Sequence, residues 1–279
     1  MTSLLSLPRV TATRYVQPLR EGGSLPAVVE TDDGLYVVKF RGAGQGPKAL
    51  VAELLVGGIA SLLDLPVPTL ALVDLPPPFG RSEPDPEIQD VLRRSHGLNV
   101  GLRYLDGAFN FDCTAAAEVV TPGFAARLVW LDGLATNPDR THRNPNLLVW
   151  QRRPWLIDHG AALYAHHDWA NATPEKARTP FSLIEQHVLL SRSHGIEDVD
   201  AASAAALDDE ALRALIDQVP DELLTGPEYA GDAGPQTLRA RYLDYLGTRL
   251  RAPRPFLAEA VEARERLRRM PPLPQSARR

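Results

Sequence analysis

Two acidic loops joined by a short hairpin constrain the fold of this chain more than any other feature. They lie between Asn137 and Gly160, in the sequence NPDRTHRNPNLLVWQRRPWLIDHG. The apolar runs Leu147–Trp150 and Trp155–Ile157, separated by a basic turn at residues 151–154, predict two short paired strands. Closing the hairpin brings its ends together, so we expect the loop before it and the loop after it to form one site.

The polar residues of these loops suit a hard divalent cation and a base. Asp139 lies in the first loop, Asn144 follows it five residues later, and Asp158 lies in the second loop. Carboxylate and amide oxygens are the ligands that such a cation prefers, and the remaining carboxylate is free to act as a base. The stretch therefore predicts phosphoryl-transfer chemistry.

The composition is that of an ordinary globular protein and argues against several classes. The chain has 279 residues and a formal net charge of −5, so nothing favours direct binding to nucleic acid or to an anionic membrane. We recognise neither a signal peptide nor an apolar run of about 18 residues, and expect no membrane span. The single cysteine, Cys113, excludes an internal disulfide framework and favours a cytoplasmic location.

The first part of the chain has the pattern of a small antiparallel sheet. Glycine-containing turns, Gly22-Gly23-Ser24 and Asp32-Asp33-Gly34, separate its first three strands. Apolar and β-branched runs predict five strands in all: Val10–Val16, Ala27–Thr31, Leu35–Phe40, Leu65–Val73 and Asn99–Leu105.

Two lone charges occur in otherwise apolar elements of this region. Lys39 shares a strand face with Leu35 and Val37, and Glu53 is the only charge in the buried helix predicted at Ala49–Leu63. A buried charge is costly without a partner, so we expect Lys39 and Glu53 to pair. A purely structural role for this pair stays open at this point, as does a local loop-shaping role for Asp139 and Asn144.

Helical spacing dominates the rest of the chain. We expect residues 1–105 to form one unit, 106–270 a mainly helical second unit, and 271–279 a disordered basic tail. The predicted helices are Glu87–Arg94, Phe124–Thr136, Phe181–Leu190, Asp208–Gln218, Pro235–Leu250 and Pro255–Arg269.

The order of these motifs resembles the HipA-like kinases, in particular a short bacterial form of that family. The resemblance extends from about Val10 to Leu190 and is carried by EGGSLP, VVKFRGAGQG, AELL, NPDRTHRNPNLL and IDHGA. It implies a two-lobed α+β fold like that of protein kinases, with a small antiparallel sheet in the N-lobe and a mainly helical C-lobe. It also implies that ATP and Mg²⁺ bind in the cleft between the lobes.

The resemblance implies a role for each motif residue. Lys39 would hold the α- and β-phosphates of ATP, and Glu53 would orient Lys39. Asp139 would accept or orient the proton of the acceptor hydroxyl, while Asn144 and Asp158 would bind Mg²⁺. The implied reaction transfers the γ-phosphoryl group of ATP to a serine or threonine of a protein substrate, and the sequence does not say which protein.

The chain departs from the usual kinase motifs in three places. The glycine loop G-x-G-x-x-G is absent, and Gly22-Gly23-Ser24 is the candidate phosphate-binding replacement. A second cluster, Gly42-Gly44-Gly46, follows the lysine strand, and its contact with nucleotide is left open. Asp158-His159-Gly160 replaces D-F-G, and Asn137-Pro138-Asp139 replaces H-R-D. The last change removes an arginine that binds the phosphorylated activation loop in many kinases.

Other functions stay open from the sequence. A small-molecule phosphotransferase, like those acting on aminoglycosides or choline, shares the two acidic loops. A nucleotide-binding pseudokinase is disfavoured because all five motif residues are present, and DNA or antitoxin binding gains no support from the acidic net charge. A zinc site formed by His159, His166, His167 and Asp168 is disfavoured because their spacing matches no common zinc pattern.

Overall fold

The computed structural model describes residues 7–19, 25–44, 46–81, 83–113, 117–229, 231 and 234–269. Within them the chain has a mixed α+β fold, with most strands in the first part and most helices in the second. The predicted tail at 271–279 and the turn with Gly22, Gly23 and Ser24 lie outside the described residues. In the described part, no helix combines the length and apolar character needed to cross a membrane.

Five strands near the N-terminus form a closed barrel. Their hydrogen-bonded order is β1-β2-β3-β5-β4, and β4 pairs back onto β1. The β1–β4 pair is parallel, whereas the other four pairs are antiparallel. The strands are β1 (Arg9–Pro18), β2 (Ala27–Thr31), β3 (Gly34–Lys39), β4 (Leu70–Leu75) and β5 (Gly97–Arg103).

The expectation of a wholly antiparallel sheet was wrong, because β1 bends. Its pairing with β2 is irregular between Ala12 and Arg14 and again between Tyr15 and Gln17. Such irregularities increase strand twist, and here the first residues of β1 reach β4, where Arg9 pairs with Leu72. Closure leaves the barrel without free strand edges.

The fourth strand was also misplaced in the prediction. Leu65–Val73 was expected, but β4 begins only at Leu70. Pro66 and Pro68 lie in the intervening segment, and neither has a backbone N–H for a strand ladder.

The helix that carries Glu53 packs on the outside of the barrel. This helix, α1 (Gly46–Leu62), is buried along most of its length, as its apolar sequence predicted. Gly57 allows the close approach of β4, because a Cβ atom there would lie 2.9 Å from Cδ1 of Leu70. One large side chain, Tyr36, and several small and medium apolar ones fill the barrel interior; the latter are Val10, Ala12, Ala27, Val29, Val38, Ala71 and Val73.

The second part combines a small sheet with most of the helices. The sheet contains β6 (Phe109–Asn110), β7 (Leu147–Trp150) and β8 (Arg153–Leu156), which confirms the predicted hairpin. One apolar core runs from α1 through this sheet into the helices, and the predicted division at residue 105 stays a prediction. The helices beyond α1 are α2 (Pro86–Arg94), α3 (Pro122–Ala135), α4 (Pro174–Ala177), α5 (Ile196–Ala206), α6 (Asp209–Asp217), α7 (Pro235–Leu250) and α8 (Pro255–Arg269).

Two of the longer helical segments differ from prediction. Phe181–Leu190 was expected to be one helix, but it contains a 3₁₀ turn at Ser182–Gln186 and then an extended residue, His187. The chain leaves the helical path because Val188 donates its N–H to the carbonyl of Arg140 instead. The helix α5 was not predicted, because alanine supplies most of its apolar content and gives little periodic signal.

Arg249 on α7 fastens the end of α3. Its guanidinium is 2% exposed and donates to the backbone carbonyls of Gly133, Leu134 and Ala177, each at 2.7 Å. The last carbonyls of a helix lack partners within the helix, so these bonds act as a cap. Because α3 leads directly into the first acidic loop, Arg249 also fixes where that loop begins.

We expect Arg249→Ala to lower the free energy of unfolding by about 3 kcal/mol, because it leaves three buried carbonyls unpaired and opens a cavity. Urea denaturation measures the change. Arg251→Ala is the matched control, since the side chain of Arg251 is 67% exposed and its substitution should change stability by less than about 0.5 kcal/mol. Equal stability of the Arg249 variant and the wild type would contradict the capping role.

Candidate active site

Lys39 lies between two carboxylates where the barrel, α1 and the second acidic loop meet. Its Nζ donates to Oε2 of Glu53 at 2.6 Å and to Oδ1 of Asp158 at 2.5 Å. Lys39 ends β3, Glu53 lies on α1, and Asp158 follows β8. The Glu53 side chain is fully buried, whereas that of Asp158 is 37% exposed. The expected pairing of Lys39 with Glu53 is confirmed, and Asp158 joins it.

The charges of these three residues stabilise one another. Burial disfavours the cationic form of Lys39, but the attraction of the Glu53 and Asp158 carboxylates is larger than this effect and raises the pKa of Lys39. Burial likewise disfavours the anion of Asp158, but Lys39 lowers the pKa of Asp158 below its usual value. At neutral pH Lys39 is therefore cationic and Asp158 anionic.

Two asparagine amides hold the carboxylate of Asp139. Nδ2 of Asn144 donates to Oδ2 of Asp139 at 2.8 Å, and Nδ2 of Asn146 donates to the same oxygen at 3.1 Å. The amide oxygen of Asn144 is thereby left for another partner, such as a cation. Sequence reasoning missed Asn146, which lies two residues beyond the asparagine that the D-x-x-x-x-N spacing selects.

Arg140 joins the two acidic loops. Its Nη1 donates to the backbone carbonyl of Asn146 at 2.5 Å, and its Nη2 lies 3.1 Å from Nδ1 of His159. Arginine can only donate, so Nδ1 of His159 accepts and the neutral ring carries its proton on Nε2. Asn146 precedes the hairpin and His159 follows it, so one buried side chain holds both of its ends.

Asp132 on α3 anchors Arg140. Its Oδ2 accepts from Nε of Arg140 at 2.6 Å and from Nε2 of His187 at 2.9 Å. Its Oδ1 accepts from Nδ2 of Asn137 at 2.9 Å. Burial acts to raise the pKa of Asp132, but Arg140 and His187 lower it far below its usual value. Sequence reasoning missed all four residues, although Asp132 shows the same signal as Glu53, an acid within an apolar helix.

His159 links the cluster around Lys39 to the cluster around Arg140. The backbone N–H of His159 donates to Oε2 of Glu53 at 2.8 Å, and the same oxygen also accepts a hydrogen bond from Nζ of Lys39. The ring of His159 lies beside Gly57, where a Cβ atom would stand 3.7 Å from its Cδ2. The positions of Lys39 and of the first acidic loop are therefore coupled through His159 and Arg140.

The second glycine cluster has a packing role. The N–H of Gly42 donates to Oγ of Ser95 at 3.0 Å, and a Cβ atom at Gly42 would lie 2.7 Å from Cβ of Arg94. Gly42 is therefore required for contact with the end of α2. Gly46 begins α1 with a φ of +60°, a conformation that suits glycine. The phosphate-binding role of Gly22, Gly23 and Ser24 stays a prediction.

The sequence profile of the HipA-like kinases matches residues 14–229, which include both acidic loops, Lys39 and Glu53. The chain belongs to the HipA-like kinase family. This family member is also similar in structure to the Helicobacter pylori proinflammatory kinase CtkA, with a TM-score of 0.56 and 12% sequence identity over 95% of this chain and 100% of that chain. At that identity the likeness is one of fold. No curated protein sequence matches the chain significantly.

Family membership confirms the resemblance that the motifs suggested. The family is one of kinases, so the chain is a phosphotransferase, and the site around Lys39, Asp139 and Asp158 is its candidate active site. The candidate cation ligands of this site are the carboxylate and amide oxygens of Asp158 and Asn144, a set that fits a hard divalent cation.

Three buried histidines should make the stability of this family member depend on pH. Burial lowers the pKa of His159 to about 4, that of His166 well below 6.5, and that of His187 below 6.5. Below pH 6.5 the unfolded chain therefore binds more protons than the folded one, so stability present above this pH is lost as the pH falls.

We expect the free energy of unfolding to fall between pH 6.5 and pH 4, by up to about 1.4 kcal/mol per pH unit for each histidine. Urea denaturation across this range measures the slope. His187→Gln should reduce the slope, because its amide keeps a donor toward Asp132 but does not titrate. A stability independent of pH in this window would contradict neutral burial of the three rings.

Proposed function

We propose that this family member is an ATP- and Mg²⁺-dependent kinase that phosphorylates a serine or threonine hydroxyl of a protein. The observation that carries the proposal is the position of Lys39, whose Nζ lies 2.6 Å from Glu53 and 2.5 Å from Asp158. A lysine held beside a cation-binding carboxylate suits the point where the phosphates of ATP meet Mg²⁺. In this proposal the barrel with α1 is the N-lobe, the helical part is the C-lobe, and ATP lies between them.

Lys39 would bind the α- and β-phosphates of ATP. Glu53 supports this role because it is fully buried and also accepts the N–H of His159, so it holds Lys39 from a fixed position. A cation that is already in place needs no reorganisation when charge develops during transfer. We assign the turn of Gly22, Gly23 and Ser24 to the phosphates as well, through its backbone N–H groups.

Asn144 and Asp158 are the residues that would hold Mg²⁺. Both offer oxygen atoms, and the hairpin together with Arg140 ties their two loops to each other. When bound, Mg²⁺ would neutralise charge on the transferred phosphoryl group. The contact between Lys39 and Asp158 then keeps the phosphate-binding cation next to the metal-binding carboxylate.

Asp139 would orient the acceptor hydroxyl and take up its proton. The amides of Asn144 and Asn146 both donate to Oδ2 of Asp139, so one carboxylate oxygen is held in place. A base that is held in one orientation loses little entropy when the acceptor arrives.

We further propose that the site is assembled without a phosphorylated activation segment. Arg140, the arginine next to Asp139, is 1% exposed, and its donors are directed at Asp132, Asn146 and His159. It therefore presents no free guanidinium to a phosphate group. Asp132 supplies the anion that a phosphorylated segment would otherwise bring to such an arginine.

Asp139→Ala should lower phosphoryl transfer at least hundredfold while the protein stays folded, because it removes the base. The measurement is transfer from radiolabelled ATP, with mass spectrometry of the protein incubated alone and with cell lysate. Asp90→Asn, an exposed change on α2, is the control and should retain full activity. Undiminished transfer by the Asp139 variant would refute its role, and turnover only with aminoglycosides or choline would refute a protein acceptor.

Asp158→Ala should weaken binding of ATP in the presence of Mg²⁺ at least tenfold, because one proposed metal ligand is lost. Calorimetric titrations with and without Mg²⁺ separate this effect from binding of the nucleotide alone. The matched control is Asp168→Ala, which removes an exposed carboxylate on the same segment. Equal affinities of the Asp158 variant and the wild type for MgATP would contradict the role of Asp158 as a Mg²⁺ ligand.

A further inference from the structure

A cavity lies away from the proposed catalytic residues, none of which is among its lining residues. It is open to solvent on one side, has a volume of about 780 Å³ and is bordered by the segment after α1, the start of α3 and the β7–β8 turn. The walls combine arginines with apolar groups: Val67, Phe124, Arg127, Arg152, Arg153 and Trp155. A cavity of this size accommodates a small organic molecule.

Two residues of the cavity lining carry a buried donor that lacks an acceptor. Nε of Arg127 and Nε1 of Trp155 are both inaccessible, and neither has a hydrogen-bond partner among the described residues. Buried N–H groups are nearly always hydrogen-bonded, so each exception calls for an explanation. Both side chains line the cavity, but because neither N–H group reaches the accessible surface, an acceptor in the cavity contacts them only after a local shift of Arg127 or Trp155.

The β7–β8 turn at the border of the cavity presents further cations. Gln151 and Arg152 have φ values of +48° and +60°, although hairpin turns of this kind favour asparagine and glycine. Backbone strain of this kind is often found at functional sites. Here the strained turn places Arg152 and its neighbour Arg153 at the cavity. In the part of the chain that the structure describes, neither arginine forms an ion pair.

Acidic groups at the cavity do not neutralise the arginines. Asp64 and Glu118 also line it, but no ion pair joins either of them to Arg127, Arg152 or Arg153 among the described residues. The lining therefore carries one net positive charge, which suits a ligand with one anionic group better than a polyanion.

We propose that this cavity binds a small organic anion. Its phosphate or carboxylate group lies between Arg127 and Arg152, because the planar guanidinium matches the oxygen geometry of both anions. Its apolar body lies against Val67, Phe124 and Trp155. The site is separate from the nucleotide site and does not depend on the function proposed above.

The test is calorimetric titration of the full chain with 1-naphthyl phosphate, which carries one phosphate on an aromatic body. We expect saturable binding that weakens at least tenfold in Arg127→Gln and in Arg152→Gln. Arg152 is exposed, so its variant keeps the test valid if the Arg127 variant is unstable. Arg93→Gln on α2, an exposed arginine outside the cavity, is the control and should bind as the wild type does.

Three further probes define the ligand class. Inorganic phosphate lacks the apolar body and 1-naphthol lacks the charge, so both should bind at least tenfold more weakly. 1-Naphthoate shows whether a carboxylate replaces the phosphate, and binding of either aromatic anion supports the site. Hydrogen exchange with the bound probe should show protection of residues 61–67 and 152–155. Absence of saturable binding, equal affinity in the arginine variants, or equally tight binding of 1-naphthol would overturn the proposal.

Discussion

The buried ion pair between Asp132 and Arg140 is the interaction on which the rest of the site depends. Both side chains are inaccessible to solvent, and the pair ties α3 to the loop that carries Asp139. Removing one partner of such a pair leaves an uncompensated buried charge, which costs about 3–5 kcal/mol. The pair therefore specifies one position of this loop relative to α3, whatever its net contribution to stability.

From this pair a continuous line of hydrogen bonds reaches the barrel. Arg140 contacts His159, the backbone of His159 contacts Glu53, and Glu53 holds Lys39 against Asp158. The line connects residues from α3, the two acidic loops, α1 and β3. Preorganised charges of this kind contribute to catalysis because they need not rearrange during the reaction. The same preorganisation supports the proposal that the loop needs no phosphorylated segment to hold it.

Much of this arrangement could be predicted from particular residues. Lys39 and Glu53 are lone charges in apolar elements, and the hairpin between Asp139 and Asp158 requires the two loops to meet. Asp132 was missed, although it is a lone acid in the apolar helix that leads into the first acidic loop, because the kinase-like motif itself begins only at Asn137. The parallel closure of the barrel was missed because it depends on bulges in β1, which the alternation of side chains does not reveal.

The sequence by itself determined the family, most of the elements and the candidate residues for the chemistry, because motif spacing and buried charge are local properties. Only the tertiary structure decided which partners hold those residues. His187 lies 55 positions from Asp132, and His159 lies 106 positions from Glu53. Contacts over such separations exist only once the apolar core has closed, and no spacing along the chain encodes them. The cavity with Arg127 and Arg152 is of the same kind, since its walls come from segments that meet only in the folded protein.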